Sequence, residues 1–220
     1  MLLSITAKSQ SWQPGHFYDI KGTKNTGFIR VDPRGKGPIK GEGFIEYKED
    51  EKAESIKLSA SDLRSFVAGR DSFVVAVAPA EGWAKYDLDF VRVAVDGPLR
   101  LFEAKGSGGN GGSGIGFNPG VGVGMGGGGG TGGFGGGLGG GISIPIGGGR
   151  HGRGGKAVYY YGANTASMKP LTNQNFIDVM TQIMGDKPDV VEKIQAKKYS
   201  LRDMDKLIAY FNQVQAGQGQ

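Results

Sequence analysis

The chain contains no cysteine, which excludes disulfides, thiolate metal sites and cysteine nucleophiles together. That absence fits either side of a membrane, because an exported protein of this size does not require disulfides. Histidine is almost as scarce. His16 lies in a predicted strand and His151 in a glycine-rich tract, so a two-histidine metal site is disfavoured. No GxSxG elbow or HExxH helix occurs. A phosphate loop is missing too: ahead of Gly155-Lys156 the first glycine position holds Arg150, and Ala157 follows the lysine. Carboxylates at Asp71, Asp87 and Asp89, and the aromatic loop Trp83-Ala-Lys85-Tyr86, read as solvated strand ends and packing residues. No catalytic, cofactor-binding or metal-ligating residue is therefore assigned, and a non-enzymatic protein without a cofactor is expected.

Charge of either sign is missing from Gly106 to Gly149. The window from Gly106 to Gly155 holds 29 of the chain's 43 glycines. Glycine has the largest backbone entropy to lose on ordering, so residues 106–155 are expected to be a disordered low-complexity insert. A membrane-spanning helix needs roughly 20 mostly apolar residues, and glycine fills most positions here, so membrane insertion is disfavoured. No Gly-X-Y period is sustained, which excludes collagen. Gly/apolar alternation from Gly114 to Met125, then Phe134, Leu138 and Ile142 at every fourth position, leaves self-association through the insert as one reading. A single Arg-Gly-Gly at Arg153 is too little for an RNA-binding segment.

What is present outside the insert supports an ordinary folded unit. Residues 1–105 carry 16 basic and 15 acidic side chains, and residues 156–220 carry 8 and 6. The best basic run, Arg30, Arg34, Lys36 and Lys40, is followed at once by Glu42 and Glu46 and reads as a solvated turn; nucleic-acid binding is disfavoured.

Short runs rich in Phe, Ile, Val and Tyr, punctuated by Gly, Pro, Asp and Lys, predict strands at His16–Ile20, Thr26–Val31, Glu42–Lys48, Ser55–Leu58, Phe66–Val67, Ser72–Ala78, Leu88–Val95, Leu99–Ala104 and Lys156–Tyr161. Val91, Val93 and Val95 are expected on one face, and Asp96-Gly97 as a tight hairpin turn with positive φ. From residue 171 the period becomes helical. One helix carries Phe176, Met180, Ile183 and Met184 behind a cap at Thr172. A second starts near Pro188 and buries Val191 and Ile194. A third opens at Ser200, with Asp203 completing a capping box and Leu201, Met204, Leu207, Ile208 and Phe211 on one face.

The fold class expected is α+β. An antiparallel β-rich N-terminal lobe, a meander or open barrel-like sheet (residues 10–105 plus 156–161), is followed by a bundle of two to three short helices (171–213) packed on it. Residues 1–9 read as the remnant of a signal peptide, with small residues at Ala7 and Ser9 in the −3/−1 spacing and cleavage next to Gln10.

Several stretches together carry a resemblance: Trp12-Gln-Pro-Gly15, Phe90-Val-Arg-Val-Ala-Val-Asp-Gly-Pro-Leu-Arg-Leu-Phe102, the Tyr-rich strand at Tyr159, and a tail with Phe176, Lys193-Ile194, Tyr199-Ser-Leu-Arg-Asp-Met204 and Tyr210-Phe-Asn212. The layout resembles a family of uncharacterised exported proteins of Gram-negative bacteria. Their first hairpin typically carries an acidic turn, where this chain has Lys21-Gly-Thr-Lys-Asn25. The resemblance implies an exported location and brings no activity, partner or site residue. The function expected is a non-enzymatic binding or structural module of the periplasm or cell surface. Two alternatives stand beside it: an envelope-associated protein whose insert mediates self-association or membrane contact, and an enzyme acting on envelope polymers.

Overall fold

The computed structural model describes residues 12–78, 86–105 and 157–217. Their fold is α+β, a ten-stranded antiparallel sheet with three helices at its C-terminal end. The strands are β1 (Gln13–Asp19), β2 (Lys24–Arg30), β3 (Phe44–Lys48), β4 (Ile56–Ser59), β5 (Leu63–Ala68), β6 (Asp71–Val77), β7 (Leu88–Val95), β8 (Arg100–Lys105), β9 (Ala157–Gly162) and β10 (Lys169–Pro170). Their order across the sheet is β10-β9-β8-β7-β6-β5-β1-β2-β3-β4. The helices are α1 (Phe176–Ile183), α2 (Pro188–Gln195) and α3 (Met204–Gly217). The signal-like residues 1–9, the loop residues Trp83 and Lys85, and the 106–155 tract with His151 lie outside the described residues.

The sheet curls back on itself. Gly43 N–H donates to the Leu88 carbonyl at 2.8 Å and Asp87 N–H to Gly41 at 3.0 Å, and Glu42 bridges Leu88 in parallel. This brings the lead-in of β3 against the start of β7 and nearly closes six strands into a ring. Gly43 makes the approach possible, since a Cβ there would overlap the Asp89 carboxylate. Inside the ring sit Phe17, Ile29, Ile45, Leu63, Phe66, Phe73 and Phe90. Phe66 stacks on Phe73 with centroids 4.5 Å apart and meets Phe90 edge-on at 5.0 Å.

Beyond the ring, β8 and β9 extend the sheet and receive the helices. Val95, Leu101 and Tyr159 pack against Phe176, Met180, Met184, Ile194, Met204, Leu207 and Phe211. The three helices start in different ways. The cap of α1 is Asn175 and not Thr172 as expected, and the Asn175 side chain is turned away from the helix, accepting from Thr172 N–H and donating to the Pro170 carbonyl, so it leaves the first-turn amides uncapped. Pro188 opens α2. The Ser200 hydroxyl donates to Asp203 at 2.7 Å, and Asp203 also accepts from the Ser200 amide, which is the expected capping box. On the opposite face of β7–β9 a smaller cluster of Ala76, Val91, Phe102, Ala104 and Tyr160 forms, where the turn Thr165–Ser167 lies against β6.

Three further expectations are corrected. Val91, Val93 and Val95 do not share a face: Val93 pairs with Phe102 and Val95 with Leu101, so a bulge at Ala94 turns Val95 into the helical core while Val93 joins the cluster opposite. Asp96-Gly97 is no two-residue turn. Gly97 has no positive φ, and the link runs on to Arg100, held by the Asp96 carboxylate accepting from Gly97 N–H at 3.0 Å and Arg100 Nε at 2.7 Å. In α2 the buried pair is Val190 and Ile194, four apart, and Val191 is only partly covered.

The last residue of β8 and the first of β9, Lys105 and Ala157, are direct register partners. The intervening 106–156 stretch therefore leaves and rejoins the sheet across a single rung of an antiparallel ladder.

Candidate functional site

Two groupings of polar side chains stand out, and they differ in kind. The first is partly buried. β7 and β8 place Arg92 opposite Glu103, and β9 places Tyr159 next in the same row. Arg92 forks onto the Glu103 carboxylate through Nε at 3.0 Å and through a second, shorter contact from its terminal nitrogen, and reaches Asp71 at 3.3 Å. The Tyr159 hydroxyl donates to Asp205 of α3 at 3.0 Å. Burial lifts the Glu103 carboxyl above its ordinary range, against the pull of Arg92 and with help from Asp205 and Asp71. Burial also pushes the Tyr159 phenol up, reinforced by the Glu103 and Asp205 carboxylates. Every polar group named here is matched to another within the protein. The row joins the phenylalanine-filled ring to the helical layer, and its chemistry is that of a clasp.

The second grouping faces outward. In an antiparallel pair, directly opposed residues point the same way, and the registers of β1–β4 define four rows on the side away from Phe17, Ile29 and Ile45. Arg30 lies opposite Glu46, and Glu46 opposite Lys57. Pro14 lies opposite Phe28, and Phe28 opposite Lys48. His16 opposes Thr26, and Tyr18 opposes Lys24. Trp12, one step before the strand, completes the face. The Arg30 guanidinium lies 4.3 Å from its ring centre, and the Lys48 ammonium 5.0 Å from the same ring and 5.6 Å from that of Phe28. Lys57 sits 5.3 Å from the Phe44 ring.

One carboxylate, Glu46, serves this face, and it is taken by Arg30 at 2.7 Å. Lys48 and Lys57 each donate one hydrogen bond to a backbone carbonyl, of Glu51 and Lys36; an ammonium has two further donors. His16 packs edge-on against Tyr18 at 5.4 Å. Partial burial and the charge of Lys24 lower its pKa, so the imidazole is neutral at pH 7. Pro14, Lys24, Thr26 and Lys57 are exposed, whereas Trp12, His16, Tyr18 and Phe28 are half-buried.

The residues singled out in the sequence are distributed as follows. Arg30 belongs to the outer face, but Arg34, Lys36 and Lys40 stay in the exposed loop that follows β2. His16 is on the outer face. Asp71 joins Arg92, Asp89 accepts from the Phe90 amide at 2.8 Å, and Asp87 remains at the strand start. Sequence reasoning missed Trp12, Phe28, Lys48 and Lys57 as one surface. The signal available was the alternation Trp12, Pro14, His16, Tyr18 at every second residue, out of phase with Phe17. Among the described residues no group of three His, Cys, Asp or Glu is arranged to hold a metal ion, and no helix is long and apolar enough to cross a membrane. Comparison of the chain with family models, with curated proteins and with solved structures finds no match in any of the three.

Proposed function

We propose that the protein is a non-enzymatic binding module, exported to the periplasm or cell surface, and that it binds through the outer face of β1–β4. One observation carries this reading: four cations, Lys24, Arg30, Lys48 and Lys57, share cross-strand rows with His16, Tyr18 and Phe28 on the side of β1–β4 away from the buried Phe17, Ile29 and Ile45. The polar groups with displaced pKa values elsewhere are engaged internally. Glu103 is with Arg92, Tyr159 with Asp205, Asp203 with Ser200, and Asp19 with the amides of its own hairpin. Export is supported by the Ala7/Ser9 spacing.

Co-sedimentation of the purified chain with isolated cell-envelope fragments tests the reading. Binding is expected, and the double charge reversal Lys48→Glu/Lys57→Glu is expected to abolish it while leaving the melting temperature near that of the parent. Envelope binding that survives the reversal overturns the assignment of the face. Fractionation of cells expressing the full-length gene tests export; a cytoplasmic product with Met1 intact removes it.

A further inference from the structure

The outer face divides into two halves with different chemistry. At one end, Arg30, Lys48 and Lys57 gather around Trp12, Phe28 and Phe44. At the other, the row through Tyr18 continues onto Ser65 of β5, and the row through His16 continues onto Val67 and then Ser72 of β6. That second half offers hydroxyls and a neutral imidazole, with Lys24 as its single charge. From Trp12 to Tyr18 the face runs six residues along β1, about 20 Å of extended chain. Lys24 and Lys48 face outward with no carboxylate in their rows, and Lys57 shares its row with Glu46, which Arg30 already engages.

Resting on the binding-module reading above, we infer that the ligand of this face is an acidic polysaccharide, a chain that carries carboxylates and hydroxyls on the same repeating sugar. The cationic half meets the carboxylates, and the Tyr18, His16, Thr26, Ser65 and Ser72 half exchanges hydrogen bonds with the hydroxyls. A single-stranded nucleic acid fits less well. Surfaces that bind it offer bare aromatic platforms for base stacking along a continuous cationic track. Here Arg30 and Lys48 already lie on the Trp12 ring, and half of the face has one charge.

The test uses the full chain carrying Trp83→Phe, which leaves Trp12 as the single tryptophan and its emission as the readout. Three polymers are titrated: polygalacturonate, neutral dextran, and a single-stranded oligothymidylate. Polygalacturonate is expected to change Trp12 emission saturably, with affinity falling at least about tenfold as salt rises from roughly 50 to 200 mM, since several ionic contacts act together. Lys48→Glu/Lys57→Glu should weaken binding by about a hundredfold, in the range for loss of close charge pairs. The double variant Tyr18→Phe/Thr26→Val keeps every charge and is expected to weaken polygalacturonate by about tenfold while leaving the salt slope unchanged.

Tighter binding of the oligothymidylate than of polygalacturonate overturns the inference in favour of nucleic acid, and dextran binding equal to polygalacturonate overturns the role of charge. No response to polygalacturonate, with envelope binding still sensitive to the lysine reversal, removes the ligand class and keeps the binding face. No response together with insensitive envelope binding removes both.

Discussion

One sheet serves two cores that are closed in different ways. In the N-terminal ring the strands curl until β3 meets β7, and the interior is filled by phenylalanines from the sheet itself. In the β8–β9 extension the sheet stays open and its face is covered by α1–α3, with a core rich in methionine and leucine. A curled sheet can bury only what its own inward positions carry, so its core is set by alternation along strands. A helix-covered sheet draws on a second layer and tolerates flexible side chains such as Met180, Met184 and Met204, which adapt to irregular gaps. The bulge at Ala94 and the Arg92 row mark where one regime passes into the other.

The comparison is broken most severely by emptying the ring. Phe66→Ala removes a fully buried side chain from between Phe73 and Phe90 and is expected to cost about 4 kcal/mol in denaturant unfolding. If the two cores are one cooperative unit, far-UV signal from the helices and Trp12 emission lose stability together; separate transitions would show them to be independent. The next largest effect comes from the clasp. Arg92→Leu leaves Glu103 and Asp71 without their cation and is expected to cost about 3 kcal/mol at pH 7. The loss should shrink in mildly acidic buffer, where Glu103 takes up a proton instead of remaining a buried anion. A loss independent of pH would mean that the arginine acts by packing alone.

Excising 106–156 and joining Lys105 to Ala157 through Asn-Gly tests whether either core needs the tract. Shortening the closed loop is expected to raise stability by up to about 3 kcal/mol through loop-closure entropy; a large loss would place the tract inside the cooperative unit. The smallest effect concerns Glu103 itself. Its carboxyl titrates above the ordinary range in the fold, so the native state holds that proton more tightly than the unfolded chain. The stabilisation this gives is complete below the unfolded value and is lost as pH rises through the folded one. Glu103→Gln is expected to flatten that slope in a series of urea melts just above the ordinary carboxylate range. An unchanged slope would assign the titration to another group.

Much of the architecture was legible because strand and helix periods are local properties. The runs around Phe73, Val91 and Tyr160 announced strands, and Phe176, Met180, Leu207 and Phe211 announced helical faces. What was not legible depends on distant partners. Nothing near Glu42 indicates that it will meet Leu88, and the bulge at Ala94 exists only in relation to the register of β8. Arg92 and Glu103 are unremarkable charges until β7 and β8 are aligned. The outer face was hidden for a further reason: Trp12 and Pro14 were read as part of an opening motif, ahead of a strand starting at His16. Once β1 is extended back to Gln13, Trp12, Pro14, His16 and Tyr18 fall on one side, and the opposed registers add Phe28, Arg30, Lys48 and Lys57.

The single rung joining Lys105 to Ala157 has a consequence for how such a gene can change. Slippage within runs of identical codons lengthens or shortens a polyglycine stretch readily, and in most positions of a protein that would shift registers or strain neighbouring turns. Here the residues that flank the tract, Lys105 and Ala157, face each other across one rung of the ladder, so a change in its length calls for no change of register on either side. The same junction offers a place for an engineered passenger, such as an epitope or a fluorescent domain, between two residues that are already neighbours in the sheet.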